Sequence, residues 1–388
     1  MGTIVTEGRG GVGEILKGGG AQPRLNSLTG LRFYAALAIV LRHVLPPILT
    51  VPLLSEIVAV GPIGVGFFFV LSGFVLAWGY QDGVSYSDFY LRRFARIYPL
   101  HFVTTVTAVI VAILTGAALY PASTALSLTL MQSWFGEAWR HGGNTVSWSL
   151  SCEAFFYACF PLIISRFRRL GVKTGVIVMF GIFIIMGVYV LAYALMSVWS
   201  GMDLNGLSPY SNPAYRIGEF LIGILLARQL QQGVRSRFSL NVAVLLTVIA
   251  VAGLAVINSI VAHSGLSLGG EGGLPLFVLD LMFLPVAAFL ILAAASCDLG
   301  GQRSMFAGTA HVALGQWSFA LYLVHPIVLA IVLYAMPETA GPLYRSVLFG
   351  LAVVSAVAFS AFVFRTVEVP LERRIRQWSR LRRAKIVL

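Results

Sequence analysis

Ten apolar stretches, each about as long as a bilayer is thick, constrain the fold of this chain more than any other feature. A membrane-spanning helix needs about 20 mainly apolar residues, because no water is present to pair with its backbone polar groups. The sequence meets that requirement near 29–49, 58–80, 98–119, 148–166, 174–199, 212–230, 240–262, 275–296, 315–336 and 344–366. The predicted fold class is all-α, a polytopic membrane helix bundle of about ten transmembrane helices.

The composition excludes a large water-soluble core and leaves the lipid bilayer as the surroundings. Of 388 residues, 58% are hydrophobic and 11% are charged, whereas soluble domains carry roughly 45–50% and 25%. The net charge of +12 falls in short connectors and the C-terminal end, so we expect no nucleic-acid partner. The three cysteines lack the spacing of zinc ligands, and we expect no metal and no cofactor.

The positions of arginine and lysine predict the orientation of the bundle. Basic clusters follow the second, fourth and sixth apolar stretches, and the alternate connectors carry few basic residues. By the positive-inside rule, we expect a multi-pass protein of the plasma membrane with both termini in the cytoplasm. The clusters are Arg92, Arg93 and Arg96; Arg166, Arg168, Arg169 and Lys173; and Arg228, Arg235 and Arg237.

The chain divides into a leader, a membrane domain and a tail. Residues 1–27 contain no apolar stretch, and we expect a disordered cytoplasmic leader; residues 28–367 form the membrane domain. Residues 368–388 combine apolar residues at helical spacing with many arginines, which predicts a basic amphipathic cytoplasmic tail on the anionic leaflet. The tail is interpreted as a topological anchor, with a regulatory or ligand-binding role as the alternative.

Ionisable residues within the predicted membrane helices indicate a functional cavity, because such groups are costly in lipid. Eleven residues at about 100° each bring His43 to within roughly 20° of Arg32 and about 16 Å further along the first helix. We expect Glu153, about 8 Å below the outer surface in the fourth helix, to lie beside His43 and stabilise its imidazolium. The alternative is a structural ion pair of Glu153 with Arg42 or Arg216.

Other side chains are predicted to line the same cavity. Arg93 and Arg96 share one helical face, a spacing suited to phosphate as well as to topology. His325 precedes Pro326 near mid-membrane, where it either lines the cavity or bonds backbone carbonyls freed by the proline. A serine nucleophile is disfavoured because no Gly-x-Ser-x-Gly turn is present. The remaining expected lining residues are Arg42, Trp148, Ser149, Ser151, Arg216 and Tyr322.

Five motifs in order give the chain a resemblance to a known family. They are the Arg32 and His43 pair, the run 64–74 (GVGFFFVLSGF), the Arg93 and Arg96 pair, the block 148–153 (WSLSCE), and the run 321–325 (LYLVH). With these motifs the sequence resembles the membrane acyltransferase-3 family, whose members O-acylate sugars and natural products. The resemblance covers nearly the whole chain from Arg24 onward.

The resemblance implies ten core helices and acyl-CoA as a co-substrate bound from the cytoplasm. It implies that His43 and Glu153 are catalytic, and that Arg32, Arg93 and Arg96 bind the donor. The expected reaction moves an acetyl or a short or branched acyl group to a hydroxyl of a surface or lipid-linked glycan, or of a glycosylated small molecule such as a macrolide antibiotic. The alternative is a proton-coupled transporter with His43 and Glu153 as a proton relay.

Overall fold

The computed structural model describes residues 22–48, 52–81, 83–136, 139–199, 207–264 and 274–387, and their regular structure is helical. Most of the predicted leader lies outside these ranges. The helices are α1 Asn26–Ile48, α2 Pro52–Ala59, α3 Ile63–Trp78, α4 Tyr86–Thr115, α5 Pro121–Leu128, α6 Trp148–Phe167, α7 Val172–Trp199, α8 Pro213–Gln231, α9 Leu240–His263, α10 Leu276–Leu299, α11 Thr309–Ala335, α12 Pro342–Val363 and α13 Val369–Val387.

The predicted all-helical membrane bundle is confirmed. Among the described residues, nine helical segments are long and apolar enough to cross a membrane. The tenth predicted span corresponds to α8, which carries Arg216, Glu219 and Arg228 and buries most of its side chains inside the bundle. A helix surrounded by other helices can carry charges that a lipid-facing helix cannot, because protein groups pair with them.

The third membrane helix begins well before the residue that its apolar stretch suggested. α4 starts at Tyr86 instead of near residue 98, and the Ser85 hydroxyl caps it by accepting a hydrogen bond from the backbone N–H of Asp88. Arg93 and Arg96 therefore lie within the helix, where the bundle fixes their direction. After α4 the chain forms the short helix α5 and a 3₁₀ turn at Gln132–Trp134, and neither is long enough to span the membrane.

The predicted tail helix is continuous with the last membrane helix. A π-helical turn, Phe364–Glu368, joins α12 to α13. A π turn widens the helix locally and is frequent at functional sites. Here it turns Glu368 into the bundle, where this residue is only 3% exposed.

Close backbone contact holds α11 against α1. A Cβ atom on Gly315 of α11 would lie 1.7 Å from the backbone oxygen of Thr29 in α1, so only glycine fits at this crossing. Small residues at helix crossings allow dispersion contacts that lipid does not provide between helices. The contact sets the distance between α1 and α11, which carry His43 and His325.

We expect Gly315→Ala to destabilise the protein by about 1–3 kcal/mol, the usual cost of overpacking. The matched control is Gly350→Ala in α12, where a Cβ atom would meet nothing within 4 Å. The control should be neutral or stabilising by up to about 1 kcal/mol. Unfolding temperatures of the detergent-purified proteins measure both effects, and equal temperatures would contradict the proposed helix crossing.

Candidate active site

Two histidines from α1 and α11 form a hydrogen-bonded pair. His43 Nδ1 lies 3.1 Å from His325 Nε2, and the rings stack with centroids 5.1 Å apart. His325 is fully buried, whereas His43 is exposed at the surface of the bundle. The sequence predicted that His325 lines the cavity or bonds backbone carbonyls, and the structure pairs it with His43.

The hydrogen bonds of this pair determine which nitrogen of His43 is free. His325 Nδ1 lies 3.2 Å from the carbonyl oxygen of Leu321, which can only accept, so Nδ1 carries the proton. His325 Nε2 then has a lone pair that accepts a hydrogen bond from His43 Nδ1. In the neutral pair, His43 Nε2 therefore retains its lone pair and is able to take a proton.

A cavity lined by three arginines lies deeper in the bundle. This basic cavity has a volume of about 120 Å³, and its polar lining residues are Arg32, Ser72, Arg93, Arg96, Glu153 and Tyr157. It shares Arg32, Glu153 and two phenylalanines with a chamber of about 60 Å³ that reaches Ser149 and Tyr322. The structure thus brings the three predicted donor-binding arginines together around one space.

Glu153 lies in the basic cavity and not beside His43. Within the part of the chain that the structure describes, no hydrogen bond or ion pair joins these two side chains. The predicted depth of Glu153 assumed that α6 begins at the membrane surface. The segment before α6 instead folds into the bundle: Asn144 is 1% exposed and donates a hydrogen bond of 2.7 Å to the carbonyl oxygen of Leu323.

Tyr322 closes the end of the chamber nearest the histidine pair. Its hydroxyl donates a hydrogen bond of 2.7 Å to the carbonyl oxygen of Val146 and accepts one of 2.9 Å from Ser149. The Tyr322 ring centroid lies 6.1 Å from that of His325. The Ser149 hydroxyl therefore donates to a tyrosine and is not placed as a nucleophile activated by His43.

The other predicted lining residues have different surroundings. Trp148 and Ser151 are buried, but neither lines the basic cavity or its chamber, and Arg42 is half-buried. Arg216 is fully buried and belongs to a separate cluster: it donates hydrogen bonds of 2.7 Å to Glu219 and 2.6 Å to Asp280. Its Nε also donates to the carbonyl oxygen of Tyr210, so each of the three guanidinium nitrogens donates one hydrogen bond.

A larger cavity lies at the other end of α11. This distal cavity has a volume of about 510 Å³ and lies between α4, α11 and the segment before α6. Its wall is mainly apolar, with polar groups from Thr124, His141, Asn144 and Thr145. Pro326, the residue after His325, is also part of the wall. The histidine pair and Tyr322 thus lie between two spaces that approach α11 at different heights.

Comparison with known proteins agrees with these features. The acyltransferase-domain model of the acyltransferase-3 family matches residues 25–365. The chain belongs to the acyltransferase-3 family. It is 35% identical to "Acyltransferase MdmB" of Streptomyces mycarofaciens over 322 residues, which cover 79% of each chain. No solved structure matches it.

Family membership makes this chain a multi-pass membrane acyltransferase, as its sequence predicted, and favours transfer chemistry over proton-coupled transport. Three polar residues at or beside the cavity were absent from the sequence-based site. Ser72 lies in the run 64–74, and Tyr157 lies four residues after Glu153, on the same face of α6. Glu368 does not line the cavity but contacts Arg96, and its only signal was that it is one of two acids in a strongly basic segment.

The Arg216 cluster predicts a structural effect of mutation. Arg216→Met should destabilise the protein by about 3–5 kcal/mol, because Glu219 and Asp280 would remain buried without their cation. Arg216→Met combined with Glu219→Met and Asp280→Leu should recover much of that loss, since apolar replacement of a whole buried ion group is often tolerated. Thermal unfolding in detergent measures both, and a fully stable single variant would contradict the assignment.

Proposed function

We propose that this acyltransferase moves an acyl group from acyl-CoA to a hydroxyl of a sugar-containing acceptor. The observation that carries the proposal is the position of the basic cavity, which lies below Tyr322 and the histidine pair. The phosphate groups of the donor need cations, and the acceptor hydroxyl that attacks the thioester needs a base. Arginines lie at one end of this arrangement, and the imidazole of His43 lies at the other.

The donor site consists of Arg32, Arg93 and Arg96. Arginine binds phosphate bidentately, and the charge-assisted hydrogen bonds are about twice as strong as neutral ones. The three arginines outnumber the one carboxylate that lines the cavity, Glu153. This excess of positive charge supports an anionic ligand in the cavity.

His43 acts as the general base of the transfer. As the acceptor hydroxyl oxygen attacks the thioester carbonyl carbon, His43 Nε2 takes the hydroxyl proton. Collapse of the tetrahedral intermediate breaks the carbon–sulfur bond, and the proton passes to the departing thiolate, which leaves an ester and free CoA. His325 holds the tautomer and the orientation of His43 through their hydrogen bond.

Glu153 acts on the donor side of the reaction. Its carboxylate interacts electrostatically with Arg32 and Arg96 across the basic cavity. A carboxylate there orients the guanidinium groups and limits the repulsion between them. We propose this positioning role for Glu153 because the described contacts place it with the arginines and not with His43.

The distal cavity is proposed as the acceptor site. Its volume of about 510 Å³ lies within the range of ligand pockets, roughly 300–1,000 Å³. The apolar wall with polar groups at one end suits an amphiphilic acceptor such as a glycosylated macrolide or a lipid-linked sugar. Pro326 connects this wall to His325, and His141 connects it to Arg140, which interacts electrostatically with His43.

Removing the base should remove nearly all transfer. General-base catalysis contributes about 10²–10⁴-fold, so we expect His43→Gln to reduce the transfer rate by that order while the protein remains inserted in the membrane. His325→Gln should reduce the rate less, because it removes the partner and not the base. Purified protein, radiolabelled acetyl-CoA and a panel of hydroxylated macrolides measure the transfer.

The matched control for this experiment is His263→Gln. His263 is exposed and bonds only the Ser259 carbonyl oxygen within the described structure, so its loss should leave the rate unchanged. Wild-type rates in His43→Gln would end the proposed mechanism. Absence of transfer from acetyl-CoA and from longer acyl-CoA donors in the wild type would contradict the proposed reaction itself.

Filling the distal cavity should impair acceptor use. Ala330 of α11 lines the cavity, whereas its neighbour Ile331 is 50% exposed and lies outside it. We expect Ala330→Trp to raise the acceptor KM by about ten-fold or more, since an indole occupies space that the acceptor requires, and Ile331→Trp to leave it unchanged. Equal acceptor KM values for the two variants would rule out this cavity as the acceptor site.

A further inference from the structure

A second basic space lies in front of the donor site. This vestibule has a volume of about 540 Å³ and lies where α11, the π turn and α13 meet. It shares Arg32 and Arg96 with the basic cavity, so these two arginines stand at the boundary between the two spaces. The other charged residues of its wall are Arg365, Glu372 and Arg373.

Glu368 holds Arg96 at this boundary. The Arg96 guanidinium donates a hydrogen bond to a Glu368 carboxylate oxygen, and it lies 3.6 Å from Glu372. The second carboxylate oxygen of Glu368 is buried without a hydrogen-bond partner in the described structure. One carboxylate oxygen of Glu368 therefore neutralises Arg96. The other oxygen lacks the hydrogen bonds that would stabilise a permanently buried anion.

The charges of the vestibule do not balance. Four arginines, Arg32, Arg96, Arg365 and Arg373, line it together with one glutamate, Glu372, and a second glutamate, Glu368, pairs with Arg96. Arg365 lies over the Trp317 ring at 5.6 Å, which orients its guanidinium without neutralising it. Arg373 is exposed on α13. A polyanion entering here would meet cations on both α13 and the wall of the donor site.

We propose that Arg365 and Arg373 form an outer phosphate-binding subsite, and that Glu368 is an internal anion which holds Arg96 until a donor phosphate replaces it. The inference rests on the proposed function, because it assigns the subsite to the phosphates of the same acyl-CoA donor. The terminal helix then takes part in donor binding as well as in anchoring. The Arg96 guanidinium exchanges one oxyanion partner for another, so it is never left uncompensated.

The exchange of partners at Arg96 should change the affinity for the donor. Breaking the pair between Arg96 and Glu368 opposes donor binding, whereas contacts to Arg365 and Arg373 favour it. Glu368→Gln removes the competing charge and keeps the shape of the side chain, so it should tighten donor binding. Arg373→Gln removes a favourable contact and should weaken it. A merely structural Glu368 would have the opposite effect, because its loss would leave Arg96 poorly positioned.

The test measures binding of free coenzyme A to the full-length protein in detergent micelles. We expect Glu368→Gln to lower the Kd about three- to ten-fold and Arg373→Gln to raise it by a similar factor, as for partly screened charge contacts. The matched control is Arg374→Gln, since Arg374 is exposed on the same helix and does not line the vestibule. It should leave the Kd unchanged.

Each measured Kd tests one part of the inference. A Kd raised by Glu368→Gln would overturn the role of Glu368, and equal values for Arg373→Gln and Arg374→Gln would overturn the outer subsite. If Glu368→Gln misfolds, Glu372→Gln replaces it, with a smaller decrease in Kd expected and an increase contradicting the exchange. Wild-type protein that binds no coenzyme A would refute the proposed donor, whereas wild-type binding without this pattern would refute only the subsite.

Discussion

The bundle depends on a rule that lipid imposes: each enclosed charge must be compensated by protein or by a ligand, because the hydrocarbon cannot do so. The Arg216 cluster surrounds one guanidinium with two carboxylates and a carbonyl oxygen, so its ionic partners all come from the protein. The basic cavity instead brings three arginines around one lining carboxylate, Glu153. This difference in charge balance is why an anionic donor is proposed for the basic cavity and not for the Arg216 cluster.

The crossing of α1 and α11 explains how the site is held in place. The crossing of α1 and α11 at Gly315 leaves no room for a Cβ atom, and so it fixes two helices that each contribute to both ends of the reaction. α1 carries Arg32 and His43, about 16 Å apart by the rise of a helix. α11 carries Tyr322 and His325. One closely packed pair of helices therefore links the proposed donor arginines to the proposed general base.

Sequence patterns predicted the helices well because twenty apolar residues leave the chain few alternatives in a membrane. They also grouped Arg32, Arg93 and Arg96, since the topology placed all three at one end of the bundle. The pairing of His43 with Glu153 was inferred from depth, which a sequence gives only when a helix begins at the membrane surface. Asn144 and the turn before α6 fold inward instead, and so Glu153 lies at the level of Arg32.

The partner of His43 illustrates what helical periodicity leaves undetermined. Two residues on different helices meet only if the rotation of each helix is known, and rotation follows from packing rather than from hydropathy. A hydrogen bond of His325 to a backbone carbonyl was one of two expectations from the sequence, but which carbonyl accepts it, that of Leu321, and the contact with His43 follow only from the packing. That bond is the decisive one: it puts the proton of His325 on Nδ1, makes Nε2 the acceptor, and so leaves His43 Nε2 as the basic atom. A backbone carbonyl one turn away in α11 thereby controls which nitrogen in α1 is available for chemistry.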